Sequence, residues 1–238
     1  MKVAEMVAGQ MASYLIDSVI INAVNFPSIP TEMLDKLHPY LGLAERMGSL
    51  MGQMVRQPHD VTITYSGDVA GFDTRVLTRA VLKGFLGSFT DMPVNFVNAP
   101  ALAKDKGIKV EETISQESRD YTNLIRIKLP QLEQDLNEVW GIIFAKKHQR
   151  IVRLGRIHMD VIPEGDMLVI QNEDRPGVIG NVGTLLARHG INIARFNLGQ
   201  RGGRAISMIN IDTPAGEEVI EEIRSQPNIL TVKRIRLD

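Results

Sequence analysis

Asn172-Glu173-Asp174-Arg175-Pro176-Gly177-Val178-Ile179-Gly180 closes a strand and opens a helix. Upstream, Met167 to Ile170 is an apolar run of strand length that stops at polar residues. Downstream, Pro176 suits the first turn of a helix, where its missing N–H costs nothing. Val178, Val182, Leu185 and Leu186 then recur at helical spacing. Arg188, His189 and Gly190 supply a cationic last turn and a C-terminal glycine. The turn therefore sets Asn172 and Asp174 against the open backbone N–H groups of a helix N-terminus. Such groups can hold a carboxylate, while the Asp174 carboxylate can hold an ammonium. The combination suits a free amino acid.

The segment that follows extends the pattern. Ile191-Asn192-Ile193-Ala194 starts a second strand, and Arg204 to Ile211 makes a third, joined across Gln200-Arg201-Gly202-Gly203. Ala205, Ser207, Ile209 and Ile211 share one face of that third strand, with Ile206, Met208 and Asn210 on the other. Glu217 to Arg224 gives a second helix with Val219, Ile220 and Ile223 inward, and Ile229 to Leu237 a last strand. The order is βαββαβ, the split βαβ arrangement of ferredoxin-like domains. Residues 166–238 resemble an ACT domain, the amino-acid-sensing module of many metabolic enzymes. The resemblance is carried by the D-R-P-G-V-I-G run, the H-G-I-N-I that follows and the closing strand.

The chain has 238 residues, a length that suggests two ordinary domains. With 44% hydrophobic and 23% charged residues it can bury a real core, and a net charge of −1 points to neither nucleic acid nor anionic membrane as a partner. The absence of cysteine excludes a disulfide framework, an iron–sulfur cluster and a thiol nucleophile. It fits a reducing, cytoplasmic setting. No apolar run approaches the roughly 20 residues that span a bilayer, and no secretory signal opens the chain.

Val7, Met11, Leu15 and Val19 form a one-sided stripe on an expected helix over 3–21, followed by the extended Asn25-Phe26-Pro27-Ser28-Ile29-Pro30 linker. A core-facing stripe with no adjacent core reads as the tail of a larger domain cut at Met1. A long helix then opens at Thr31, with apolar residues at Leu34, Leu37, Leu41, Ala44, Met47, Met51 and Met54. Val61 to Tyr65 alternates as a strand, Val76 to Phe85 is helical, and a short helix runs from Asn98 to Lys104. Ile108–Glu111, Leu124–Leu129, Val139–Lys146 and Ile151–Val161 read as further strands, and Pro163-Glu164-Gly165 as a domain boundary.

The Asn22–Asn25 and Pro27 stretch, Pro39-Tyr40, Leu43-Ala44-Glu45, Asn98–Ala103 and Gly107-Ile108 are similar to one family in particular. They resemble the region that follows the catalytic core in long-form D-3-phosphoglycerate dehydrogenases. The resemblance implies an α+β chain with three parts: the tail of a core helix and a linker (1–30), an α/β intervening domain (31–163), and a ferredoxin-like ACT domain (166–238). It also implies that the NAD-binding core and the catalytic Arg, Glu and His precede this chain. The nearest glycine run, Gly177, Gly180 and Gly183, has the wrong spacing for a dinucleotide cradle. The expectation is a piece with no NAD site and no hydride transfer of its own.

In serine-regulated relatives, the resemblance further implies, L-serine sits between two ACT domains. The matching positions are Asn172, Asp174 and Asn192, with backbone N–H groups near Val178 and Ile179 completing the pocket. The bland alternative makes Asp174 a helix N-cap and Asn192 a turn residue, leaving an oligomerisation scaffold with no effector. A basic stretch, Lys146 to His158, offers Arg150, Arg153, Arg156 and His158 as an anion site. On a regular hairpin Arg150 and Arg156 share a face, with Arg153 opposite unless a bulge intervenes. Its alternative is a solvated edge that discourages strand pairing. None of the five histidines has metal-ligand spacing, and no G-x-S-x-G elbow occurs. The expected partners are an amino acid, a second copy of the chain and the parent catalytic core.

Overall fold

The computed structural model describes residues 4–9, 11, 31–115, 120–132 and 136–238. Residues 4–9 and 11 are helical, with Val7 and Met11 exposed. The rest of the helix expected over 3–21, and the proline linker, lie outside the described residues. Helix α1 (Thr31–Met54) follows the expected stripe: Leu37, Ala44, Met47, Met51 and Met54 are buried, joined by Leu43 and Leu50. Pro39 sits inside this helix, and its carbonyl accepts from Gln149 Nε2 at 3.2 Å.

Helix α2 (Thr74–Leu86) starts at Asp73, whose carboxylate accepts from the Arg75 N–H at 3.2 Å. The two helices meet backbone to backbone. A Cβ on Gly48 would collide with the Val81 carbonyl, one on Gly52 with the Phe85 carbonyl, and one on Gly84 with that of Glu45. Glycine costs about 1 kcal/mol inside a helix relative to alanine, so these three positions trade local propensity for close approach.

The helices cover one face of a six-stranded sheet, ordered β2-β1-β3-β4-β5-β6. Its strands are β1 (Val61–Gly67), β2 (Val110–Ser115), β3 (Asn123–Lys128), β4 (Glu138–Phe144), β5 (His148–Leu154) and β6 (Ile157–Val161). Strands β1 and β2 are parallel, linked through α2 and helix α3 (Ala99–Asp105), and the other pairings are antiparallel. Under the helices Tyr65 bonds Thr78 at 2.8 Å, and burial pushes its phenol far above the ordinary tyrosine range.

Three strand readings change. The run Ile151–Val161 is two strands, β5 and β6, folded about Gly155 at φ +56°. Strand β4 stops at Phe144, because Ala145 and Lys146 take φ of +48° and +66° in a tight hairpin turn. Strand β2 runs over Val110–Ser115 rather than starting at Ile108, as a mostly polar edge strand with most of its side chains, Ile114 included, in solvent.

The second unit has the expected order: β7 (Gly165–Glu173), α4 (Val178–Arg188), β8 (Ile193–Arg201), β9 (Arg204–Ile211), α5 (Glu217–Arg224) and β10 (Ile229–Leu237). All pairings in its β10-β7-β9-β8 sheet are antiparallel. Leu168, Ile170, Ile209, Ile211 and Val232 pack beneath α4 and α5. The opposite face does not meet water. Met167, Val169, Ile206, Met208, Ile235 and Leu237 belong to the same buried cluster as α1 and the six-stranded sheet.

Polar contacts fix the registry of the two units. Gln53 exchanges two bonds with the Arg236 backbone, at 2.8 and 2.9 Å. Asn210, 3% exposed, donates to the Glu164 carbonyl at 2.8 Å, and Arg195 pairs with Glu164 at 2.8 Å. A Cβ on Gly199 would strike Ile157. Among the described residues no helix is long and apolar enough to cross a membrane.

Gly84→Ala should lower the unfolding free energy in urea by about 1–3 kcal/mol through overpacking. Gly71→Ala, whose added Cβ meets nothing, should stay within about 0.5 kcal/mol. A second test concerns the outer helices of the second unit, where Glu222 joins Arg188 at 2.5 Å and His189 at 2.7 Å. The His189 hydrogen bond, aided by the Arg188 charge, holds the Glu222 carboxyl below its ordinary value of 4.5. A depressed carboxyl stabilises the fold above its unfolded pKa and stops doing so once pH falls through the folded one. The Tm deficit of Glu222→Gln against the parent should therefore be full at pH 5–7 and shrink below pH 4.5.

Candidate functional site

At the end of β7 the chain turns into α4 through Gly177, at φ +92°, which occupies the N-cap position with no side-chain cap. Asp174 therefore does not cap the helix. Its own N–H bonds the Gly203 carbonyl at 2.9 Å, tying it to the β8–β9 turn. With its amide nitrogen facing the carboxylate, Gln200 reaches the two Asp174 oxygens at 2.7 and 3.2 Å. The first bond of α4 runs from the Asn181 N–H to the Gly177 carbonyl at 2.9 Å, so the N–H groups of Val178 and Ile179 precede the helical ladder. Val178 is buried and Ile179 is 47% exposed. An exposed carboxylate thus stands on the turn that leads into the first, unladdered N–H groups of α4.

The other two residues read as effector contacts are placed differently. Asn172 is only 4% exposed, and its Nδ2 donates to the Glu173 carbonyl at 2.7 Å. Asn192 is exposed, and its N–H bonds Asp212 Oδ1 at 3.1 Å. Register puts Ile193 opposite Ile211 and Arg201 opposite Arg204. Asn192 and Asp174 therefore lie at opposite ends of the sheet, about 25 Å apart at 3.3 Å per residue. One chain does not bring them together.

The basic hairpin also departs from the regular pattern. A bulge at Val152 adds one residue to β5, so Arg150 (opposite Ile142) and Arg153 (opposite Trp140) share a face. His158 joins them as the partner of Arg153, while Arg156 stands exposed in the β5–β6 turn. Arg150 pairs with Asp160 at 3.2 Å. Arg153 reaches Glu138 at 3.2 Å and lies 4.3 Å above the Trp140 ring. Glu138, 6% exposed, also takes Arg126 at 2.5 Å. Acidic partners for Arg150 and Arg153 are thus built into the sheet.

Arg156 instead lines a cleft of about 270 Å³ with Ile157, Gln171, Arg201, Gly202, Arg204 and Ile206. Arg201 and Arg204 were not singled out from sequence, where Gln200–Gly203 reads only as a connection. The available signal was an arginine on either side of a Gly-Gly turn. Among the described residues no cluster of His, Asp or Glu could hold a metal ion.

With this geometry in place, similarity to known proteins decides the kinship. Residues 36–155 match the D-3-phosphoglycerate dehydrogenase intervening domain. The chain belongs to the D-3-phosphoglycerate dehydrogenase family. Residues 167–228 match the ACT domain. Over 240 residues the chain is 33% identical to the D-3-phosphoglycerate dehydrogenase of Bacillus subtilis (strain 168), covering 100% of this chain and 46% of that protein. Over 234 residues it is 38% identical to the Methanocaldococcus jannaschii enzyme of the same name, covering 97% and 44%. The chain spans about half the length of the curated relatives it matches. It is their intervening and ACT region, the regulatory part of this family.

Proposed function

We propose that this chain senses L-serine for a D-3-phosphoglycerate dehydrogenase and damps an NAD-dependent catalytic core to which it is joined in the cytoplasm. The natural domain limits would be 31–163 and 166–238, with residues 1–30 leading from that core. Asp174 would hold the serine ammonium, the N–H groups of Val178 and Ile179 its carboxylate, and Asn192 of the partner subunit its remaining polar groups. Asn172 would shape the floor beneath them.

The observation that carries this reading is the turn at Asp174. Its carboxylate is exposed, held by the Gln200 amide rather than spent as a cap, and the turn leads straight into the N-terminus of α4. The separation of Asp174 from Asn192 supports a site shared by two copies, because a ligand touching both needs one residue from each. Serine binding would then select one relative orientation of two sheets. Since each sheet is packed into its intervening unit, that orientation would be carried whole toward the core. A coupling of about 1–3 kcal/mol is typical of such control.

The buried amide of Asn172, already bonded to Glu173, favours a second reading: a scaffold that assembles the enzyme and binds no effector. Calorimetric titration of L-serine into the 238-residue chain separates the two. Saturable heat should appear, and both Asp174→Ala and Asn192→Ala should abolish it while sedimentation still shows a dimer. Heat lost in Asp174→Ala but unchanged in Asn192→Ala would overturn the shared site. No heat from the parent dimer would leave the scaffold.

A further inference from the structure

We propose that the side-chain amine of Lys233 takes up CO2 as a carbamate at the seam between the two units. Helix α1 lies antiparallel along the free edge of β10. Arg46 Nε donates to the Asp238 carbonyl at 2.9 Å, and further along the helix Gln53 exchanges its two bonds with the Arg236 backbone. The same progression carries Arg56, just beyond the end of α1, to the level of Lys233. Lys233 shares its face of β10 with Ile235 and Leu237, which are buried against the first unit, and it is itself half-buried.

Charge distinguishes Lys233 from other lysines of the chain. Lys83 lies 2.7 Å from the Glu45 carboxylate and Lys109 2.6 Å from that of Glu111, and such partners favour the ammonium form. Among the described residues no carboxylate pairs with Lys233 or with Arg56. The strand partner of Lys233 on β7 is the buried Val169, and Arg234, on the other face of β10, donates to the Ala215 carbonyl at 2.9 Å. Burial, and after it the positive charges of Arg56 and of Arg224 at the end of α5, holds the Lys233 ammonium below the ordinary lysine range. Arg224 has Glu221 beside it, whereas Arg56 is exposed and carries its charge uncompensated.

Guanidinium charges around a half-buried amine repel its protonated form, and an anion built on that nitrogen reverses the sign of the interaction. CO2 supplies one with no leaving group. The lone pair of the neutral amine attacks the carbon, a C–N bond forms as one C–O π pair moves onto oxygen, and the nitrogen gives a proton to water. The product is an N-carboxylate with one negative charge, whose two oxygens match a guanidinium fork. An ordinary lysine is neutral in roughly one molecule in 2,500 at pH 7, so the reaction concentrates where the ammonium is disfavoured. The carbamate then ties β10 of the second unit to the residue that follows α1 in the first. None of its residues belongs to the Asp174 turn, so the inference does not rest on the serine reading.

The test is to equilibrate the 238-residue chain with isotopically labelled bicarbonate at neutral pH, trap carbamates by O-alkylation with a trialkyloxonium salt, and locate them by peptide mass spectrometry. Label is expected on Lys233, saturating with bicarbonate, absent from Lys233→Arg and reduced about fivefold or more in Arg56→Gln. Lys147→Arg, at an exposed hairpin lysine, should leave the label on Lys233 unchanged, with circular dichroism confirming the fold of each variant. Asp174→Ala should also be labelled as the parent is, so a failed serine titration leaves this inference standing. No label on Lys233, or as much on Lys147 as on Lys233, would overturn it. Bicarbonate retained equally by Lys233→Arg would mark a non-covalent ion and overturn it as well.

Discussion

A four-stranded sheet with apolar residues on both faces needs two covers. Helices α4 and α5 supply one, and the other is the intervening unit itself, against Met167, Val169, Ile206, Met208, Ile235 and Leu237. Burying a side chain of this size is worth about 1.5–3 kcal/mol relative to leaving it in water. An exposed ion pair such as Arg195–Glu164 adds about 0–1 kcal/mol. The apolar face therefore holds the units together, while the Gln53 and Asn210 hydrogen bonds decide their registry.

That packing organises the functional surfaces. With both faces of this sheet covered, its exposed parts are its edges and the outer sides of α4 and α5. The Asp174 turn sits where the sheet, the start of α4 and the β8–β9 turn meet. A cleft lined by Arg156, Arg201 and Arg204 borders the same β8–β9 turn.

Much of this was legible in the sequence. The βαββαβ order followed from alternation, a proline at a helix start and glycines at turns. The apolar character of both faces of Ile206–Ile211 already implied a strand buried on two sides. Other features were hidden for identifiable reasons. Strand β2 is polar because it is an exposed edge, so it lacks the alternation that marks a half-buried strand. The Val152 bulge reverses side-chain parity without any glycine or proline to announce it. The N-cap went to Gly177, since a left-handed residue there ends the turn before Asp174 can reach the helix. The arginine cleft joins residues from two units, and no local pattern records such a juxtaposition.

The central claim is that the two units share one core and behave as one body. Differential scanning calorimetry of the 238-residue chain tests it most directly. The account predicts a single transition whose calorimetric and van't Hoff enthalpies agree, shifted as a whole by a cavity mutation such as Met208→Ala. Two separable transitions, with Met208→Ala moving only one, would contradict it.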